Sequence, residues 1–175
     1  SCARFRAAAA LALDTGKVRW QRDDYPWLPT VRDCVYHHGL LALETSTLSD
    51  DKPGNVLHVV SAADGSPLWD HTFVPGMAHH KQARAMFVGD LIWVLDDRKC
   101  AALDARTGKV KTTYPAGWGH CFPPVATEKF VFGGELDMTD LETGRVDANR
   151  ITKGACSRDA GHVLANGLIY GFPKH

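Results

Sequence analysis

The sequence lacks several features that would place it in a common functional class. Its 20 basic and 20 acidic residues cancel, whereas nucleic-acid binding concentrates positive charge on one face. No apolar run approaches the roughly 20 residues of a membrane-spanning helix. C-x-x-C-H haem attachment, Walker phosphate-loop, G-x-S-x-G and H-E-x-x-H motifs are all missing. We therefore expect no nucleic-acid partner and no membrane span.

Helical periodicity is also missing, and short apolar segments alternate with turn residues instead. Residues 91–113 read LIWVLDDRKCAALDARTGKVKTT, in which two turn segments separate three short strand-like segments. Such a pattern predicts an antiparallel meander. Further strands are expected at 31–36, 40–45 and 56–62, with one interrupted strand at 125–132 and one short strand at 167–170.

The second turn of this meander recurs along the chain. Segments 14–20, 64–69, 104–110 and 140–146 share an Asp, a turn Gly and a following apolar residue, and their glycines are 49, 43 and 36 residues apart. This spacing is typical of repeats with about four strands per unit, such as propeller blades. The prediction is an all-β chain, with about four blades of four-stranded antiparallel meanders over residues 1–175. Since an open ring exposes sheet edges, we expect it to be part of a larger propeller.

The recurring turn has a direct physical interpretation. Its Asp carboxylate can accept hydrogen bonds from turn N–H groups, and its Gly allows a positive φ. Trp20 and Trp69, each four residues after a turn Gly, are predicted to pack where adjacent sheets meet. The first copy is interpreted as two residues short, and Thr112 occupies the corresponding Trp position in the third. A common hairpin turn is the alternative, but four spaced copies favour a repeat.

Segments 102–110 (ALDARTGKV) and 12–20 (ALDTGKVRW) resemble the A-x-D-x-x-T-G-x-x-x-W repeat of the PQQ-like, or quinoprotein-type, β-propellers. This resemblance implies blades over most of the chain. Many members of that family bind no quinone and act as interaction or scaffold domains, so the repeat alone does not imply PQQ. The family also points to a periplasmic or extracellular location, which agrees with the five cysteines.

Two loop segments, 119–121 (GHC) and 153–158 (KGACSR), carry further chemistry. Cys121 precedes A-T-E, Cys156 precedes A-N-G-L-I-Y, and the chain closes with F-P-K-H. This order resembles exported PQQ-like propeller proteins of planctomycete-type bacteria. Thiolate and imidazole groups suit Zn or Cu. The candidate ligands are His120, Cys121, Cys156, His162 and His175.

The residues leave alternatives to this metal site open. Cys121 and Cys156 can instead form a disulfide that staples the two loops, which would stabilise the fold by roughly 3–4 kcal/mol, or both can be free and buried. A basic pocket on the propeller face, suited to an anionic sugar or a metal, would contain His79, His80, Arg84 and Arg158. Cys34 with His37 and His38 is a weaker metal motif, and Cys100 is expected in the core.

Two functions remain in view. The first is a non-catalytic module that binds a protein or polysaccharide partner through its loops, or that pairs with the remainder of the propeller or a second chain. The second is a metal- or quinone-dependent oxidoreductase, or a polysaccharide-processing enzyme, with His120, Cys121, Cys156, Arg158 and His175 in its site. Convergence of these histidines and cysteines would favour the enzyme.

Overall fold

A computed structural model describes residues 7–45, 55–74, 85–96, 99–115, 125–132, 138–147 and 163–170. These residues form sixteen β-strands and one 3-10 turn, Leu28–Thr30. The first ten strands are β1 (Ala8–Leu11), β2 (Val18–Arg22), β3 (Val31–His37), β4 (Leu40–Thr45), β5 (Asn55–Ser61), β6 (Pro67–Phe73), β7 (Met86–Val88), β8 (Leu91–Asp96), β9 (Lys99–Asp104) and β10 (Val110–Pro115). The last six are β11 (Val125–Ala126), β12 (Phe130–Phe132), β13 (Met138–Asp140), β14 (Val146–Asp147), β15 (Val163–Ala165) and β16 (Leu168–Tyr170).

The strands form five sheets that follow one another along the chain. The second, third and fourth sheets are four-stranded meanders, β3–β6, β7–β10 and β11–β14, in which neighbours in sequence are neighbours in the sheet. All pairings are antiparallel. The first sheet contains β1 and β2, and the fifth contains β15 and β16. The predicted all-β class with four-stranded antiparallel meanders is confirmed.

The strand expected over 125–132 is interrupted at 127–129, as predicted, and the segments on either side form the paired strands β11 and β12. The Thr127 hydroxyl accepts hydrogen bonds from the N–H groups of Lys129 and Phe130, which closes the reverse turn between them. One strand prediction was incomplete. Residues 163–170 form a hairpin, of which only the second strand was expected. The turn between its strands has positive φ at Asn166 and Gly167. Strand β15 was not expected because a strand of three residues shows little periodicity.

The core lies between consecutive sheets. Between the second and third sheets, the buried side chains come from strands β4, β5 and β6 on one side and β8 and β9 on the other, and include Leu57, Phe73, Ile92 and Leu103. A second cluster joins the third and fourth sheets through Trp93, Cys100, Ala102 and Val131. Cys100 is fully buried, as predicted. In the described residues, no helix is long and apolar enough to cross a membrane.

The four recurring turns share one backbone geometry. In each, the N–H of the turn glycine (16, 65, 108 or 144) donates to the carbonyl four residues earlier, at 2.7–2.8 Å. The first copy is therefore of full length, and the interpretation that it lacks two residues was wrong. The residue whose carbonyl accepts this bond is Asp only in the third and fourth copies, and it is Ala12 in the first. Counting the first copy from its Asp therefore made it look two residues short.

Candidate functional site

The residues predicted to hold a metal, His120, Cys121, Cys156, His162 and His175, all lie outside the described residues. The same is true of the predicted face pocket, His79, His80, Arg84 and Arg158. The Zn or Cu site, the alternative disulfide and the enzyme hypothesis built on these residues therefore stay predictions. Within the described residues, no group of three or more His, Cys, Asp or Glu side chains could hold a metal ion.

The weaker motif of Cys34, His37 and His38 does not converge on one point. Cys34 and His37 are three residues apart on β3, so their side chains point to opposite faces of the sheet. His37 stacks on Phe87 at 4.8 Å, and its Nε2 lies 2.9 Å from the carbonyl oxygen of Gly89 in the next sheet. His37 thus joins two sheets.

Aromatic side chains link the last strand of one sheet to the recurring turn of the next. Trp20 Nε1 donates to the carbonyl oxygen of Ala62 at 2.9 Å, and Trp69 Nε1 donates to that of Ala105 at 3.0 Å. Both tryptophans lie at sheet junctions, as predicted. At the third junction, the Tyr114 hydroxyl donates a hydrogen bond to the carbonyl oxygen of Leu141. Tyr114 was not expected from the sequence, because it lies two residues beyond the expected Trp position, on the same side of β10.

A stack of side chains covers the outer strands of the second sheet. The Arg22 guanidinium lies 5.1 Å from the ring centre of Tyr25, Tyr25 stacks on Trp27 at 4.7 Å, and Trp27 stacks on His58 at 4.1 Å. His58 Nδ1 lies 2.8 Å from Asp70 Oδ1. This stack was not predictable from the sequence, because stacking of side chains across strands leaves no periodic signal. These contacts hold the connection between β2 and β3 against β5 and β6.

We call the first two strands of each four-stranded sheet its inner strands and the last two its outer strands. An open cavity of about 470 Å³, here called the groove, lies between the first sheet and the inner strands of the second sheet. One wall is β1 with Trp20, and the other is the face of β3 and β4 that carries Cys34, Leu41 and Leu43. The full lining is Ala7, Ala8, Ala9, Trp20, Leu28, Val31, Arg32, Asp33, Cys34, Leu41 and Leu43. The groove is therefore mainly apolar, with two adjacent charged residues from β3.

The next junction shows why the groove is open. There, the opposite face of β4 presents Leu40 and Ala42, which pack with Ile92 and Val94 of β8 in one buried cluster. At the groove, the first sheet contains no described strand inward of β1 that could cover β3 and β4 in the same way. The groove therefore occupies the position that the two inner strands of a complete sheet would fill.

One edge of β1 pairs with β2, and no other described strand pairs with its opposite edge. The N–H of Ala12 donates to the carbonyl oxygen of Lys17, across the turn to β2. Because hydrogen-bonding direction alternates along an antiparallel strand, Ala8 and Ala10 also face β2, whereas Ala9 and Leu11 face the open edge. An unpaired edge beside an apolar cavity is suited to accept an extended polypeptide.

Cys34 is an exposed thiol on the groove wall. The pKa of Cys34 is raised above its ordinary value, first because the thiol is partly desolvated and second because the Asp33 carboxylate lies nearby. A raised pKa keeps the thiol neutral at pH 7, which suits packing against apolar groups better than nucleophilic chemistry.

No protein-family model matches the chain, and no curated protein matches it. Among solved structures, it is similar to BamB from Moraxella catarrhalis, a β-propeller, with 18% identity, a TM-score of 0.58 and coverage of 82% of this chain. It is similar to the computationally designed Ika8 protein, with 11% identity, a TM-score of 0.69 and coverage of 97%. The chain spans 46% of BamB and 50% of Ika8.

The computationally designed Ika4 protein is also similar, with 11% identity, a TM-score of 0.64, and coverage of 91% of this chain and 94% of Ika4. These identities are low, so the likenesses concern the fold. The planctomycete-type family remains a prediction from the sequence. Consecutive four-stranded meanders, sheet-to-turn aromatic contacts and the likeness to BamB together show that the chain has the β-propeller fold.

Proposed function

We propose that the chain is a protein-binding β-propeller module that takes an extended polypeptide into the groove by strand addition to β1. The observation that carries this proposal is an apolar cavity of about 470 Å³ beside an edge of β1 with which no described strand pairs. In strand addition, main-chain hydrogen bonds supply affinity and alternate side chains supply specificity.

The groove wall indicates which polypeptides would bind. Side chains on one face of the added strand would contact Cys34, Leu41 and Leu43, so every second residue should be apolar. Arg32 and Asp33, which are both exposed, favour polar or charged residues where the bound segment leaves the groove. A glycan is a poorer fit, because sugar hydroxyls would lose water against these apolar side chains without gaining hydrogen bonds.

The proposal can be tested with a displayed library of random ten-residue peptides and the full chain in dilute solution. We expect selected peptides to share alternating apolar residues and to slow alkylation of Cys34, read by peptide-mapping mass spectrometry. Ala9→Pro should abolish binding, because it removes an outward N–H of β1 without removing a bond to β2. Ala9→Val keeps that N–H and is the matched control.

Peptide binding that is equally strong to Ala9→Pro, or that leaves Cys34 alkylation unchanged, would show that the groove is not the binding site. A periplasmic or extracellular location remains our expectation for the chain, supported by its family resemblance and cysteine content.

A further inference from the structure

We infer that Asn166, in the turn between β15 and β16, is a site of spontaneous deamidation through a succinimide, with water as the co-reactant. This reaction meets the least steric hindrance where glycine follows asparagine, because glycine has no Cβ beside the attacking amide. In this sequence, Gly follows Asn or Asp at two positions, Asn166-Gly167 and Asp64-Gly65. Their surroundings differ, and only those of Asn166 leave the reaction open.

The reaction is redox-neutral and uses atoms of the chain itself. The main-chain nitrogen of Gly167 attacks Cγ of Asn166, so that an N–Cγ bond forms and the Cγ–Nδ2 bond breaks. The proton of the Gly167 N–H passes to the departing nitrogen, which leaves as ammonia. Water then opens the ring at either of its carbonyl carbons. Opening at one carbon gives aspartate, and opening at the other gives isoaspartate, in which the main chain runs through Cβ and Cγ.

The turn leaves both reacting groups of this site accessible. Asn166 and Gly167 are exposed, and a Cβ placed at Gly167 would meet nothing within 4 Å. Among the described residues, no hydrogen bond holds the side-chain amide of Asn166 or the N–H of Gly167. The main chain must rotate at Asn166 to bring Cγ to the attacking nitrogen, and exposed turns open at a low cost in free energy.

The Asp64-Gly65 turn holds the corresponding groups in place. The Gly65 N–H donates to the carbonyl oxygen of Ser61 at 2.8 Å. The N–H and the hydroxyl of Ser66 both donate to the Asp64 carboxylate, at 3.0 and 2.8 Å. These two bonds lower the pKa of Asp64 below 3.8, so at neutral pH the group is an ionised carboxylate, which is a poor electrophile. Gly65 is buried, and a Cβ there would lie 2.9 Å from Trp20.

The two products at Asn166 affect the hairpin differently. The turn uses two successive left-handed residues, with φ of 53° at Asn166 and 76° at Gly167, as tight hairpins require. Aspartate tolerates this conformation, so it adds a negative charge but keeps Ala165 paired with Leu168. Isoaspartate lengthens the main chain of the turn by a methylene group, which the register of this pairing does not accommodate. The isoaspartyl form should therefore lose the β15–β16 hairpin.

The test is peptide-mapping mass spectrometry of the full chain after incubation at mildly alkaline pH in water labelled with heavy oxygen. Asn166 should be converted to an acid that carries the label, and isoaspartate should accompany aspartate, as detected by enzymatic methylation. Asp64→Asn is the matched control, because it places the same dipeptide where the Gly65 N–H is bonded and buried. Its new amide should react at least about tenfold more slowly than Asn166 in the native chain, since the bond to Ser61 must first break. In urea, the two sites should react at similar rates.

Three results would overturn the inference. If Asn166 stays intact in the native chain but reacts in urea, the folded turn protects it. If Asn166 and the new amide of Asp64→Asn react at equal rates in the native chain, the surroundings of the dipeptide do not decide the reaction. If Asn166 yields labelled aspartate without isoaspartate, water attacks the side-chain amide directly and no ring forms.

Discussion

Replacing Gly108 with Ala should destabilise the protein far more than the same change at Gly16. The two glycines have nearly identical conformations, with φ of 69° and 68°. Each substitution forces a left-handed Ala, at a cost of about 1 kcal/mol. A Cβ at Gly16 would meet nothing within 4 Å, whereas a Cβ at Gly108 would lie 2.6 Å from Cδ2 of Trp69. Only the second change must displace a side chain.

The extra cost at Gly108 follows from what Trp69 does. Its ring packs against the core between the second and third sheets, and its N–H bonds to the carbonyl of Ala105. Overpacking of this kind costs about 1–3 kcal/mol, and losing the hydrogen bond adds about 1 kcal/mol. We therefore expect a loss of about 3–5 kcal/mol for Gly108→Ala and about 1 kcal/mol for Gly16→Ala.

Urea unfolding followed by tryptophan fluorescence measures both losses. Thermal melting should agree, since 1 kcal/mol corresponds to about 2–4 °C in a chain of this size. Gly144→Ala is a second control, because its Cβ would lie at an ordinary 3.5 Å from Tyr114. Equal destabilisation by Gly108→Ala and Gly16→Ala would refute the view that Trp69 locks onto the next turn.

Three further predictions concern the described side chains. Hydrogen bonds from the Thr107 hydroxyl and N–H lower the pKa of Asp104 below 3.8, so its contribution to stability is present above about pH 4 and is lost as pH falls through the lowered value. Asp104→Ala should thus reduce the urea midpoint at pH 7 but not at the acidic end of the titration. A difference between the midpoints of variant and wild type that stays the same at every pH would contradict this. In the native chain, iodoacetamide should modify Cys34 increasingly as pH rises and should spare Cys100, because burial raises the pKa of Cys100 to about 12. Equal modification of the two cysteines, measured by mass spectrometry, would contradict this prediction. Tyr114→Phe should cost about 1 kcal/mol in urea unfolding by removing the bond to the next turn, whereas Tyr36→Phe, at a position 65% exposed, should cost almost nothing.

The repeat and its longer strands were predictable because they depend on local chemistry. Strand β4 was placed with its observed bounds, since its apolar run lies between clear turn residues. Trp20 and Trp69 were placed at sheet junctions from their distance to the turn glycines. Tyr114 was not, because a small shift along β10 moves the aromatic away from the repeat position while keeping it on the same face.

The groove was not predictable from the sequence. It exists because no strand in the described part of the chain pairs with the open edge of β1, and strand number in each sheet follows from long-range pairing that periodicity does not encode. Cys34 was noticed only for its spacing from His37, whereas its actual environment is set by Leu41 and Leu43 on the neighbouring strand. The loop residues of the predicted metal site lie outside the described residues, so they remain predictions from sequence alone.

Amide hydrogen exchange along β1, followed by nuclear magnetic resonance, tests the central claim most directly. In dilute solution, Ala8 and Ala10 should exchange slowly because they face β2, and Ala9 and Leu11 should exchange quickly because they face the open edge. When a selected peptide occupies the groove, the amides of Ala9 and Leu11 should exchange as slowly as those of Ala8 and Ala10. Unchanged fast exchange at both amides in a sample shown to be peptide-bound would contradict strand addition at β1.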